Sequence, residues 1–328
     1  MKCPNCERNH PRGKEGMACI CGYGFLLDPK SDGYTDGKFL ASIRRASANG
    51  TYVFTKNQLY AAACRGLRSQ NSAWFLMIFV VIGAVVMVVG QADSIDPNKP
   101  KLFITIFGLV FFTAGLAGLF AALFPKLSRK KWEKCYVKWR ASGKAVRGLI
   151  EGRQLETPPP DYDETDLYDY GVEQVVICER DELVDWLVLN RYHFNARAAV
   201  IGESGYPSYL LPKINELLAG DDPPKVCLLH DASDHGQEMR DRVERGGVFE
   251  LKKAEVIDMG ISPEVVSKIR SLKVVRRTTD KEDITADMIP FTQMQTLSTA
   301  AFAGTWSFVA VYESGFDDGG DSGDGDGE

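Results

Sequence analysis

The sequence predicts a multidomain membrane protein: a small cysteine module, a two-helix transmembrane hairpin, and an α/β domain with a mainly parallel sheet. Three observations predict this. Two long uncharged runs lie at 69–92 and 102–124. Four cysteines crowd into the first 21 residues. Beyond residue 171, short apolar runs alternate with amphipathic segments, as strands and helices do in a parallel sheet.

Each uncharged run, rising about 1.5 Å per residue as a helix, is long enough to cross a hydrocarbon core of about 30 Å. A buried helix of a globular domain usually keeps a polar face, and neither run has one. Gly83, Gly108, Gly115 and Gly118 suit close packing of one helix on the other. The hairpin is therefore expected over 72–124, with Asp93, Asp96, Pro97 and Pro100 forming its polar turn. Arg65 and Arg68 precede the first run, and Lys126, Arg129, Lys130, Lys131, Lys134 and Lys138 follow the second. That bias predicts a multi-pass inner-membrane protein with both termini cytoplasmic. The polar start does not resemble a signal peptide.

Of 328 residues, about 50 are assigned to the hairpin, which leaves roughly 270 for one ordinary domain and small modules. The net charge of -5 hides an asymmetry: 1–72 and 125–153 are basic, whereas 154–186 and the C-terminal tail are acidic. A basic face beside a membrane points to phospholipid, with nucleic acid as the alternative. In a reducing compartment the eight cysteines are expected as thiols. Cys64, Cys135, Cys178 and Cys227 read as small buried residues.

Cys3-Pro4-Asn5-Cys6 and Cys19-Ile20-Cys21 form two close thiolate pairs, able to complete a tetrahedron around one zinc ion. Gly22 and Gly24 supply the backbone freedom that a sulfur-ligating turn needs. The pattern over 1–30 resembles a zinc ribbon, although its second pair has one intervening residue instead of two. Four thiolates close the shell, so the site reads as structural; His10 is a substitute ligand.

Residues 34–69 read as a small helical unit, with helices at 38–46 and 56–65 and Thr55 as N-cap of the second. Residues 125–153 form a basic helical neck, with Trp132, Tyr136 and Trp139 expected as membrane-interface anchors. Residues 154–170 are a proline-rich acidic linker. The α/β domain covers 171–312, with strands at 172–178, 196–201 and 225–229 and helices at 181–192, 209–218 and 236–244. Residues 313–328 alternate aspartate and glycine and read as a disordered acidic tail.

Parallel sheets carry their sites at the carboxyl ends of strands. There the sequence puts Glu179, then Glu203-Ser204-Gly205-Tyr206, then His230-Asp231-Ala232-Ser233-Asp234-His235-Gly236. Acidic residues so gathered suit magnesium. Asp231 and Asp234 can equally cap the following helix, and spacing alone leans that way.

Three motifs together resemble the Toprim domain of the topoisomerase VI A-subunit branch. Val176-Ile177-Cys178-Glu179-Arg180-Asp181-Glu182-Leu183 resembles its strand-plus-glutamate opening. Gly205-Tyr206-Pro207-Ser208 is similar to its turn, and Asp231-Ala232-Ser233-Asp234-His235-Gly236 to its Asp-x-Asp-Pro-x-Gly motif. Ile257-Asp258-Met259-Gly260-Ile261 is similar to a short element that follows. The resemblance covers 172–275. It implies Glu179 as general acid/base and Asp231 as first magnesium ligand.

Ser233 stands where the family has its second aspartate, and Asp234 is one residue late. Upstream, Phe54-Thr55-Lys56-Asn57-Gln58-Leu59-Tyr60-Ala61 is similar to the family's winged-helix segment. Ala61 falls at the DNA-attacking tyrosine, and Tyr60 is one position early. The resemblance thus implies a membrane-anchored sensing or assembly component, associated with nucleic acid and lacking strand passage. A magnesium-dependent nuclease using Glu179, Asp231 and Asp234, and a membrane-tethered protein-docking adaptor, are the alternatives. The expected cofactors are zinc and magnesium. The expected partners are the membrane, DNA, and other proteins or further copies of the chain.

Overall fold

A computed structural model describes residues 2–10, 16–66, 127–158 and 171–302, with short helical pieces between 78 and 115. The chain divides into two compact units, one made of Met1–Ala63 with Ser128–Glu328 and the other of Cys64–Leu127.

In the first unit, the cysteine module consists of two tight turns closed by the antiparallel bridges Lys2↔Asn9 and Ala18↔Gly24. Helix α1, Asp36–Ala46, starts at Thr35, whose side chain accepts from the Lys38 N–H. Its first residue, Asp36, is buried. The Asp36 carboxylate accepts from Leu26 N, Leu27 N (2.8 Å) and Tyr23 Oη (2.8 Å), fastening the module to the helix. Helix α2, Lys56–Arg65, is capped by Thr55, as its sequence predicts: Gln58 N donates to Thr55 Oγ1 at 3.1 Å.

Helix α3, Arg129–Ala141, is shorter than the helical neck expected over 125–153. Gly143, at φ +74°, turns the chain back so that Leu149 pairs beside Phe54 in a parallel bridge. Trp132, Cys135 and Trp139, spaced at i, i+3 and i+7, share one face of α3, and all three are buried. Trp139 stacks on Phe39 at 4.5 Å between centroids, and Trp132 lies 5.3 Å from Tyr60. The reading of Trp132 and Trp139 as membrane-interface anchors is therefore corrected: they are the core that joins α3 to α1 and α2.

The transmembrane expectation is corrected too. Among the described residues no helix is long and apolar enough to cross a membrane. The two-helix hairpin, and with it the multi-pass inner-membrane placement, does not stand; most of 72–124 lies outside the described residues.

The α/β portion is built on four parallel strands, β1 (Gln174–Cys178), β2 (Ala198–Gly202), β3 (Lys225–Leu229) and β4 (Val256–Asp258), in the order β2-β1-β3-β4. A mainly parallel sheet is what the alternating pattern predicts. Every residue of β1 and β2 is buried, the reason these strands read as unbroken apolar runs. Helices α4 (Asp181–Leu189) and α5 (Tyr192–Ala196) replace the single helix expected over 181–192, because Arg191 takes a left-handed conformation. Helix α6, Leu211–Ala219, follows β2; α7 (Asp234–Gln237) and α8 (Met239–Gly246) follow β3. Val175, Ile177, Ile201, Ile214, Leu228 and Met239 lie in one core cluster.

Helices α9 (Pro263–Lys268) and α10 (Phe291–Phe302) follow β4. Phe291 packs 5.5 Å from Trp186 of α4 and 4.9 Å from Tyr52 before α2, so α10 touches both sequence segments of the first unit. The linker expected over 154–170 begins inside the folded body. Gln154 N donates to Asp185 Oδ2 at 3.0 Å, and Leu155 N to Tyr206 Oη at 2.6 Å. Residues 159–170 and 313–328 lie outside the described residues.

Candidate metal centre and the carboxyl rim of the sheet

Each cysteine pair sits on its own turn. Glu7 N bonds Cys3 O at 2.9 Å, and Gly22 N bonds Cys19 O at 2.8 Å. Gly22, at φ +85°, makes the second turn possible. The four sulfurs lie within 4.8 Å of one another, with Cys3–Cys21 and Cys6–Cys19 at 3.6 Å. A tetrahedron with metal–sulfur bonds of about 2.3 Å has edges of about 3.8 Å, so this donor set fits one zinc-sized ion. Without a metal the cluster shares its protons unevenly: the Tyr23 backbone N–H, working against burial, and the Asn5 amide draw the Cys21 thiol down to about 6, while, against the Cys21 backbone N–H, burial and the neighbouring sulfurs push Cys19 up to about 12. His10 is outside this group: its ring packs on Phe25 at 5.2 Å and its Nε2 faces Gly16 O.

At the sheet, all three expected clusters gather at the carboxyl ends of the strands. β1 and β3 are neighbours, with Cys178 opposite Leu229, so Glu179 and Asp231 meet on one rim. They meet by an unexpected bond: Asp231 N donates to Glu179 Oε2 at 2.7 Å. The Asp231 carboxylate faces Arg180 instead of open space. Arg180 Nε reaches Asp231 Oδ2 at 2.7 Å and Nη2 reaches Oδ1 at 3.3 Å, while Ala286 N donates to Oδ1 at 2.7 Å. Ser233 accepts from Gly236 N at 3.0 Å as the N-cap of α7, and Asp234, in the first turn, is exposed.

The remaining rim acids are also matched. Arg242 forks onto Glu203 at 2.7 and 2.8 Å. Asp181 pairs with Arg153 at 2.5 Å and accepts from Ser204 Oγ at 2.7 Å. Asp258 meets His230 Nε2 at 3.0 Å. Burial lowers the His230 pKa, but the Asp258 carboxylate outweighs it and raises the value above the ordinary range. Burial raises Asp231 despite Arg180. In Asp287, by contrast, the guanidinium and the hydroxyls of Thr285 and Thr55 overcome burial and hold the carboxyl low. Among the described residues, the four cysteines are the one group of three or more His, Cys, Asp or Glu whose ligand atoms converge as a metal site.

Sequence reasoning missed Arg180, Asp287, Arg153 and Arg242. The first stood inside the Glu179-Arg180-Asp181-Glu182 run, where a cation among acids at a strand end was a readable signal. Asp287 is distant in sequence and gave none.

The rim is also tightly packed. A Cβ on Gly260 would lie 2.0 Å from the His230 ring, which is buried and held at both nitrogens. Gly260→Ala is expected to cost about 1–3 kcal/mol in a urea unfolding titration. Gly246→Ala, where an added Cβ meets nothing within 4 Å, is expected to leave the midpoint unchanged or raise it slightly. Equal midpoints for the two variants would refute this packing.

No protein-family model, no curated protein and no solved structure matches this chain.

Proposed function

We propose that the protein is a nucleic-acid-associated, Toprim-like sensing or assembly component that neither cleaves nor passes strands, with a structural zinc ion held by Cys3, Cys6, Cys19 and Cys21. The observation that carries the non-catalytic part is the Arg180 guanidinium seated on both oxygens of Asp231. A carboxylate engaged in this way has little left to offer magnesium. Ser233, spent on a helix cap, adds no charge. The upstream helix agrees: Ala61, at the nucleophile's position, is buried, and so is Tyr60, whose hydroxyl lies 2.9 Å from Thr278 Oγ1. The zinc supplies rigidity, because four thiolates leave no open coordination position.

Association with nucleic acid draws on the motif resemblance and on the zinc-ribbon pattern, a module that serves nucleic-acid and protein docking alike. The full chain is expected to bind labelled duplex DNA with an affinity that falls as salt rises. It is expected to leave supercoiled plasmid intact in magnesium or manganese. Metal-dependent nicking that Glu179→Gln abolishes would overturn the non-catalytic reading. Binding absent at low salt would remove the nucleic-acid part and leave a protein-docking adaptor.

A further inference from the structure

Resting on the nucleic-acid association proposed above, we propose that the outward face of α3 is where this chain holds duplex DNA, by its phosphates and without regard to sequence. Helix α3 carries six Lys or Arg and one acid, Glu133. Trp132, Cys135 and Trp139 turn inward, so at about 100° per residue Lys130 and Lys134 stand on the opposite side, with Lys131 on the flank. All three lysines are exposed. The acids around the helix are already engaged: Glu133 pairs with Lys56, Asp32 with Lys138 at 2.9 Å, and Glu151 with Arg140. Among the described residues, Lys130, Lys131 and Lys134 meet no carboxylate. Exposed cations such as Arg240, Arg245 and Lys253 are by contrast matched, to Glu244, Asp241 and Asp221.

Nothing in the helix itself favours this charge. Lys130, Lys134 and Lys138 follow one another at four-residue spacing, where like charges repel. The first turn holds Arg129, Lys130 and Lys131 and no acid, although the helix dipole favours acids there. Local preferences are broken in this way at functional sites, where a partner compensates. Duplex DNA would do so: it carries one charge per about 1.7 Å of axis, so several phosphates fall along the roughly 6 Å between Lys130 and Lys134. An anionic lipid surface fits less well. An interfacial helix turns an apolar stripe outward, whereas the aromatic stripe of α3 is core and Val137 is its exposed apolar residue. The three unmatched cations are all lysines, point charges suited to phosphates, which fix position and carry no sequence information.

The test uses the full chain and follows binding to two labelled DNA duplexes of unrelated sequence across a salt series. The triple variant Lys130→Ala, Lys131→Ala, Lys134→Ala is expected to melt with wild type, since alanine suits an exposed helical position. It should bind both duplexes about tenfold more weakly or worse, with a log–log salt slope shallower by about 2–3. A control triple, Arg240→Ala, Arg245→Ala, Lys253→Ala, removes the same charge from matched positions and should keep the wild-type slope. If the first triple does not fold, Lys134→Ala alone carries the test, with a slope shallower by about 1. An α3 variant that binds as wild type overturns this surface and leaves DNA association standing. A control triple that loses as much overturns it too, because total charge then explains the effect. Wild type that binds neither duplex at low salt overturns both the association and its surface. Phosphatidylserine vesicles provide the last arm: if the α3 triple loses vesicle binding and keeps DNA binding, the face belongs to lipid and the proposal fails.

Discussion

Removing the metal by chelation, or replacing Cys3 with Ser, is expected to unfold the first 25 or so residues while the 171–302 portion stays folded. The reason is the size of the module's own core. Cys3, Cys19 and Phe25 are its buried apolar residues, with Cys6, Met17 and Tyr23 partly buried against them. Three of these six side chains belong to the metal site itself, so without the ion almost nothing remains to repay the chain entropy. In such modules the free energy of zinc binding is folding free energy, with apparent values of about 10–16 kcal/mol near neutral pH. The loss should spread one step further, because Tyr23, Leu26 and Leu27 are the donors that Asp36 accepts from. Hydrogen exchange should therefore quicken across 2–27 and at the start of α1, and little elsewhere. Protein purified without chelator should carry one zinc per chain. Protein that lacks metal and keeps the same protection in Cys3→Ser would refute the site.

How far the sequence could be read depended on whether a signal was local. The thiolate pairs are local, and so is the Thr55 cap; both were legible. The parallel sheet was legible because β1 and β2 are buried on both faces and so carry unbroken apolar runs. The break around Arg191 was not, since it rests on a left-handed arginine; the break after Ala141 had a local signal, Gly143, that the reading of one long neck passed over. The carboxyl rim was legible as a place and not as chemistry. Which residue neutralises Asp231 or Glu203 depends on long-range packing, and Asp287 approaches Arg180 from 107 residues away.

The transmembrane reading rested on absence of charge, which describes composition alone; among the described residues no helix is long and apolar enough to cross a membrane. Basic residues with interleaved tryptophan occur at membrane exits and equally on an amphipathic helix whose aromatic stripe is core. Only the residues that face the stripe distinguish the two.

Trp139→Ala tests that distinction directly and is expected to destabilise the folded protein by about 3–5 kcal/mol, the range for truncating a buried tryptophan. The ring is 2% exposed, stacked on Phe39, with the Lys144 ammonium 5.3 Å from its centroid. Its removal leaves a cavity lined by held neighbours, since α1 is fastened through Asp36 and the chain that follows α3 through the Phe54–Leu149 bridge. Collapse into the gap would break those bonds, so the cost should lie toward the upper part of the range. Phe39→Ala should cost a similar amount. The two together should cost less than their sum, because the second truncation removes a contact already lost. Val137→Ala, on the exposed face of the same helix, should stay within about 0.5 kcal/mol of wild type. Urea midpoints of the four variants and wild type decide the matter. If Trp139→Ala behaves like Val137→Ala, the tryptophan is a surface residue and the packing of α3 described here is wrong.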